Sequence, residues 1–137
     1  MAASRKSELV RAAAEARHRA VAPYSNFKVG AALLTKSGEV FTGANVESAS
    51  YGLTCCAERV ALFHALTAGA KRFVGAAIVA RVARGPMPCG ACRQLLAEYA
   101  PAATIWVADS RALRTIREFS VHELLPEAFV EVPDDGQ

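Results

Sequence analysis

The 137-residue chain has the size of one domain, long enough to bury a core without covalent staples. A formal net charge of +3 with scattered basic residues argues against a nucleic-acid groove, and no apolar run approaches the ~20 residues that span a bilayer. Apolar residues make up 53%, high for a small soluble chain, which favours surface covered by other subunits over a monomer.

The first segment, residues 1–22, carries Arg5, Lys6, Arg11, Arg17 and Arg19 with few acids, in the superficial manner of a transit peptide. Leu9, Ala13, Ala16 and Ala20 recur at helical spacing, so the segment reads instead as an amphipathic first helix. It contains no uninterrupted apolar stretch of the kind that makes a secretory signal. Ala22-Pro23-Tyr24-Ser25-Asn26 breaks that helix. Residues 27–35 and 39–44 then predict two strands joined across Lys36-Ser37-Gly38. Residues 45–54 form a polar connection.

Residues 55–68 predict a second helix, with Ala57, Val60, Ala61 and His64 along one stripe and Gly69 at its end. The run 74–82, rich in Val, Ile and Ala, predicts a strand covered on both faces. A loop rich in Gly and Pro leads to a third helix over 89–100. Strands are expected at 104–108 and 114–120, a helical turn at 121–125, and a polar tail at 134–137. No repeat or linker divides the chain. This order predicts one domain over 1–137, a three-layer α/β/α sandwich around a mixed sheet of about five strands.

The chemistry concentrates at two helix starts. Cys56-Ala57-Glu58 opens the second helix and Pro88-Cys89-Gly90-Ala91-Cys92 the third. A Cys-x-x-Cys pair alone suits a redox couple or half a structural zinc site equally well. A third cysteine two positions before a glutamate sharpens the pattern, because three thiolates leave one coordination position of a zinc ion open. Residues i and i+2 do not share a helix face, so Cys56 and Glu58 converge only on a point beyond the helix end. Two helix N-termini aimed there would stabilise the excess negative charge, and Arg59 and Arg93 lie beside the ligands in sequence. Glu58 separates an enzyme from a structural site: a carboxylate beside an activated water can accept and deliver its proton. Without the cysteines, Glu58 is only a favourable acid in a first turn, Phe27 a core aromatic, and Asn45 and Glu47 solvated loop residues. Free thiols and clustered cysteines fit a reducing cytoplasm.

The cysteine motifs, with Pro23-Tyr24-Ser25-Asn26-Phe27-Lys28-Val29-Gly30-Ala31-Ala32-Leu33, Asn45-Val46-Glu47-Ser48-Ala49-Ser50-Tyr51 and Leu124-Leu125-Pro126-Glu127-Ala128-Phe129, resemble the homotetrameric cytidine deaminase family, the three-cysteine form of the zinc deaminase signature. The resemblance runs over nearly the whole chain. It implies one Zn²⁺ per subunit on Cys56, Cys89 and Cys92, Glu58 as proton carrier, and Arg59 hydrogen-bonded to the ligand thiolates. It also implies that the Ala57 N–H and Phe27 hold the pyrimidine, that Asn45 and Glu47 bind the sugar, and that Phe129 reaches a neighbouring subunit's pocket. The implied reaction is hydrolytic deamination of cytidine and 2′-deoxycytidine, with no nucleic-acid or membrane partner. A deaminase of the blasticidin S type and a non-catalytic zinc module remain the alternatives. Cys55 reads as a small buried residue, Trp106 as packing, and His18, His64 and His122 fall in no ligand spacing.

Overall fold

The computed structural model describes residues 5–131. Strand β1 (Val29–Thr35) lies between β2 (Val40–Ala44) and β3 (Phe73–Ala80), antiparallel to both. Strand β3 runs parallel to β4 (Thr104–Asp109), which pairs antiparallel with β5 (Ile116–Ser120). The sheet order is β2-β1-β3-β4-β5, so the sheet is mixed and five-stranded.

Period-two alternation sends successive side chains into two cores. Ala31, Leu33, Ile78, Ile105 and Val107 face helices α2 (Ala57–Thr67), α3 (Gly90–Tyr99) and α4 (Val121–Leu124). Ala32, Leu34, Ala77, Val79, Trp106 and Ala108 face α1 (Lys6–Ala16) through Leu9, Val10 and Ala13. The result is the expected α/β/α sandwich. Trp106 is 1% exposed and fills the α1 side. Its indole N–H is satisfied by Glu118 Oε1 at 2.8 Å, directly across on β5.

Small residues let the helices close on the sheet. A Cβ on Gly43 of β2 would lie 2.4 Å from the Ala61 backbone nitrogen of α2, and one on Gly75 2.5 Å from the Trp106 ring. Gly69, at φ +95°, closes α2 in the left-handed region as its position predicts.

Several boundaries differ from the sequence reading, each for a tertiary reason. Helix α1 ends at Ala16 and tightens into a 3₁₀ turn over Arg17–Arg19, leaving Ala20 extended. Val21 must leave that turn to meet Val46 in a short parallel bridge. Strand β1 begins at Val29, not at residue 27, because the Asn45 side chain takes the Phe27 carbonyl and the Val29 N–H. Helix α2 begins at Ala57, since Cys55 is held extended by paired backbone bonds to Val46 at 2.8 and 3.0 Å. Its buried stripe is Ala57, Ala61, Leu62 and Ala65. His64 instead stands exposed, edge-on to Phe41 with ring centroids 5.3 Å apart. Strand β3 starts at Phe73 and stops at Ala80, short of residue 82, because Arg81 interrupts the apolar sequence there. The 134–137 tail lies outside the described residues.

Gly43→Ala should therefore lower stability by about 1–3 kcal/mol, an overpacking cost that the α2 backbone cannot relieve by rotating a side chain. A thermal melt checks this; an unchanged Tm would contradict the close approach.

Candidate active site

Helices α2 and α3 begin with cysteines at their N-caps. Cys56 and Cys89 both have extended backbone, φ −68° with ψ 152° and 169° respectively, and neither side chain caps its own helix. Their sulfurs are thus free to point past the helix ends. Cys92 follows Cys89 at i+3, a spacing that stacks side chains on one helical face. The three Sγ atoms lie within 4.8 Å of one another, and Cys56 and Cys89 are 3.9 Å apart. A tetrahedral zinc with Zn–S bonds of ~2.3 Å requires sulfurs roughly 3.8 Å apart, so the cradle has the right size. Cys55 is not part of this group.

The electrostatics of the cluster also ask for a cation. Three sulfurs at this separation cannot all ionise together against their mutual repulsion. Hydrogen bonding from Cys92 lowers the Cys56 thiol to about 5, with Arg59 adding to the effect. The same contact, with burial, pushes the Cys92 thiol up. Arg59 Nη2 donates to Cys56 Sγ at 3.6 Å, while its Nε is buried without a hydrogen-bond partner. A divalent ion on three thiolates would still leave one net negative charge, which an arginine against the sulfurs offsets. Arg93 does not share that task, contrary to its sequence position. Its Nε donates to Pro88 O at 2.8 Å and its Nη1 to Leu124 O at 3.0 Å, tying the start of α3 to the end of α4.

Glu58, the second residue of α2, lines a cavity of about 210 Å³ with Cys56, Cys89, Ala57, Phe27 and Asn45. Burial pushes its carboxyl above the ordinary value of 4.5, and the Cys56 charge adds to the rise. The cavity thus joins a metal cradle, a buried carboxyl, a first-turn amide without an intrahelical partner and an aromatic ring. It can hold a small planar ligand and move a proton beside a Lewis acid.

Asn45 and Glu47 are less alike than their spacing suggests. Asn45 is 7% exposed; its Nδ2 donates to Phe27 O at 2.9 Å and its Oδ1 accepts from Val29 N–H at 2.8 Å. Glu47 opens onto an adjoining cavity of about 360 Å³ with Tyr24, Ser25 and Tyr51, which shares Thr54 with the first as a wall. Its Oε1 accepts the Tyr24 and Ser25 N–H groups at 3.0 and 3.1 Å, and its Oε2 accepts the Ser25 hydroxyl. These bonds, the Ser25 hydroxyl first, hold its carboxyl below the usual range. Phe129 is 65% exposed on the segment after α4, away from the cavity of its own chain. Pro86 and Met87 of the loop before α3, together with Thr54, Val29 and Ile78, complete the cysteine cavity. Nothing in their residue types marked them, since apolar residues and a single threonine on a strand or loop carry no chemical signal by themselves.

Residues 3–108 match the sequence model of the cytidine and deoxycytidylate deaminase zinc-binding region. The chain belongs to this family. It is 52% identical over 122 residues to the cytidine deaminase of Halalkalibacterium halodurans, covering 88% of this chain and 91% of that protein. With the cytidine deaminase of Sporosarcina psychrophila it shares 40% over 123 residues, 89% of each. The crystal structure of cytidine deaminase from Burkholderia pseudomallei superposes with a TM-score of 0.85 at 49% identity, over 89% of this chain and 97% of that one. The zinc named by the deaminase family fits the observed sulfur spacing and the arginine placed against it.

Replacing Arg59 with Gln should weaken zinc binding by about 10–100-fold in competition with a chelator, the usual cost of losing a partner to a metal ligand. Cys89→Ala should cost more, since it removes a donor. Equal zinc retention by wild type and both variants would show that the metal is not held at this cradle.

Proposed function

We propose that the chain hydrolyses cytidine and 2′-deoxycytidine to uridine and 2′-deoxyuridine with release of ammonia. The observation that carries this reading is the shared cavity: Glu58, Phe27 and Asn45 line the same space as the Cys56 and Cys89 sulfurs. A structural zinc site needs neither a buried carboxyl nor an open cavity beside its ligands.

Cys56, Cys89 and Cys92 would hold the zinc, which supplies a Lewis acid that lowers the pKa of a water molecule. Glu58 would accept a proton from a water molecule adding to C4 of the pyrimidine, and pass it to ring N3. Glu58 then carries the second proton to the departing amine, so one water is consumed and one ammonia leaves. The Ala57 N–H, at the first turn of α2, would hold the base, and Phe27 would stack on its face. Asn45 retains a second N–H and a lone pair for the sugar beyond its bonds to Phe27 and Val29. Glu47, an ionised carboxylate, retains only acceptor lone pairs for sugar hydroxyls, in the adjoining cavity.

The rest of the reading concerns assembly and location. Tyr24 and Tyr51 line the adjoining cavity and are exposed, and Leu53 and Val46, next in sequence to its lining residues Thr54 and Glu47, are exposed as well, too apolar a rim for free surface. We read this rim and Phe129 as contacts between copies of one single-domain subunit, in a homotetramer where Phe129 completes a neighbour's pocket. Four free cysteines support a reducing, cytoplasmic setting. A free nucleoside is the partner this small cavity suits, rather than a polynucleotide.

Ultraviolet assay of zinc-loaded protein with cytidine tests the activity directly, and no absorbance change with either nucleoside would defeat it. Glu58→Gln should keep its metal and fold yet lose turnover by ~10²–10⁴-fold, the usual worth of general acid–base catalysis. A variant that turns over normally would return the site to a structural role.

A further inference from the structure

Phe27 lines the cysteine cavity but is 42% exposed, so packing alone does not fix its ring. Its backbone is held on both sides instead. The Phe27 carbonyl accepts from Asn45 Nδ2 at 2.9 Å, and its N–H donates to Ser25 Oγ at 3.0 Å. The same Ser25 hydroxyl donates to Glu47 Oε2, and the Ser25 N–H donates to Glu47 Oε1 at 3.1 Å. Between them Asn26 turns the chain back at φ 60°, a left-handed conformation that Asn tolerates better than most side chains.

We propose that Ser25 is a positioning residue for Phe27, its hydroxyl bridging the Glu47 carboxylate to the Phe27 amide and so setting the ring's place in the cavity. The inference rests on reading that cavity as the nucleoside pocket, with Phe27 against the pyrimidine. One hydroxyl oxygen serves as donor and acceptor at once, which Ser and Thr can do and Ala cannot. Removing it frees the Phe27 N–H and leaves one Glu47 oxygen facing solvent. The ring then loses the restraint on its N-terminal side while Asn45 still holds the other. Glu47 thereby bears on the base as well as on the loop, through Ser25.

The test compares Ser25→Ala and Ser25→Thr in the full chain and in a Phe27→Ala background, by amide hydrogen exchange and by steady-state kinetics with cytidine. Ser25→Ala should speed exchange at the Phe27 amide by about tenfold, the worth of one hydrogen bond, while the Val29 amide held by Asn45 keeps its protection. KM should rise by about as much, with a smaller change in kcat, and Thr should restore both. In the Phe27→Ala background the serine substitution should change KM no further. Unchanged exchange at the Phe27 amide would overturn the proposal, as would an equal KM increase with and without the Phe27 ring. The exchange measurement needs no turnover. Loss of Phe27 protection in a protein inactive on cytidine would keep the Ser25 link and remove only the nucleoside reading.

Discussion

Two helices that begin with cysteine, rather than with a capping Ser or Asp, set most of what this protein can do. A capping oxygen would turn back to satisfy the helix's own amides. The Cys56 and Cys89 sulfurs point onward, and Cys92 joins them from one turn into α3. The amide ends of two helices then face one cluster of sulfur, a favourable place for thiolates. Three sulfurs so close resist joint ionisation and Arg59 bonds only one of them, so all three would ionise together only around a cation.

The sheet exists, in functional terms, to hold those two helix ends together. Helix α2 seats itself on β2 and β1 through Gly43, where a side chain would strike its backbone. Helix α3 follows β3 and precedes β4, the parallel pair, so its N-terminus comes to the same end of the sheet. Arg93 fixes the loop before Cys89 by grasping the Pro88 carbonyl, and joins it to α4 through Leu124. On the far face, α1 and Trp106 seal the sheet mainly through apolar contacts, to which the Trp106 indole adds a bond to Glu118 and Arg5, at the N-cap of α1, one to the Gly38 carbonyl. That face carries the fold while the other carries chemistry.

The wall opposite the cysteines is irregular, and polar side chains replace strand pairing there. Asn45 mimics a neighbouring strand for residues 27 and 29, giving one acceptor and one donor where the ladder stops. Glu47 accepts from the amides of both Tyr24 and Ser25. Such polar ties let a loop project an aromatic ring into the cavity without leaving buried amides unpaired.

The amino-acid order by itself determined the layer architecture, the single sheet, the three sulfur ligands and the acid beside them. Each of these follows from local signals: apolar periodicity, glycine at a helix end, and cysteines spaced three apart at a helix start. Tertiary structure decided where elements begin and what shares a cavity. Helix α2 starts late because Cys55 pairs with Val46, and Arg93 turns from the sulfurs because two carbonyls from other segments lie within its reach. Asn45 and Glu47, two apart on an extended chain, face adjoining cavities because the 24–29 loop folds across them. Ser25 read only as part of a breaker and of a family-like block, with no role of its own, since the carboxylate it answers lies 22 residues away. Local spacing cannot encode a hydrogen bond whose partner arrives from another segment; only the folded chain brings the two together.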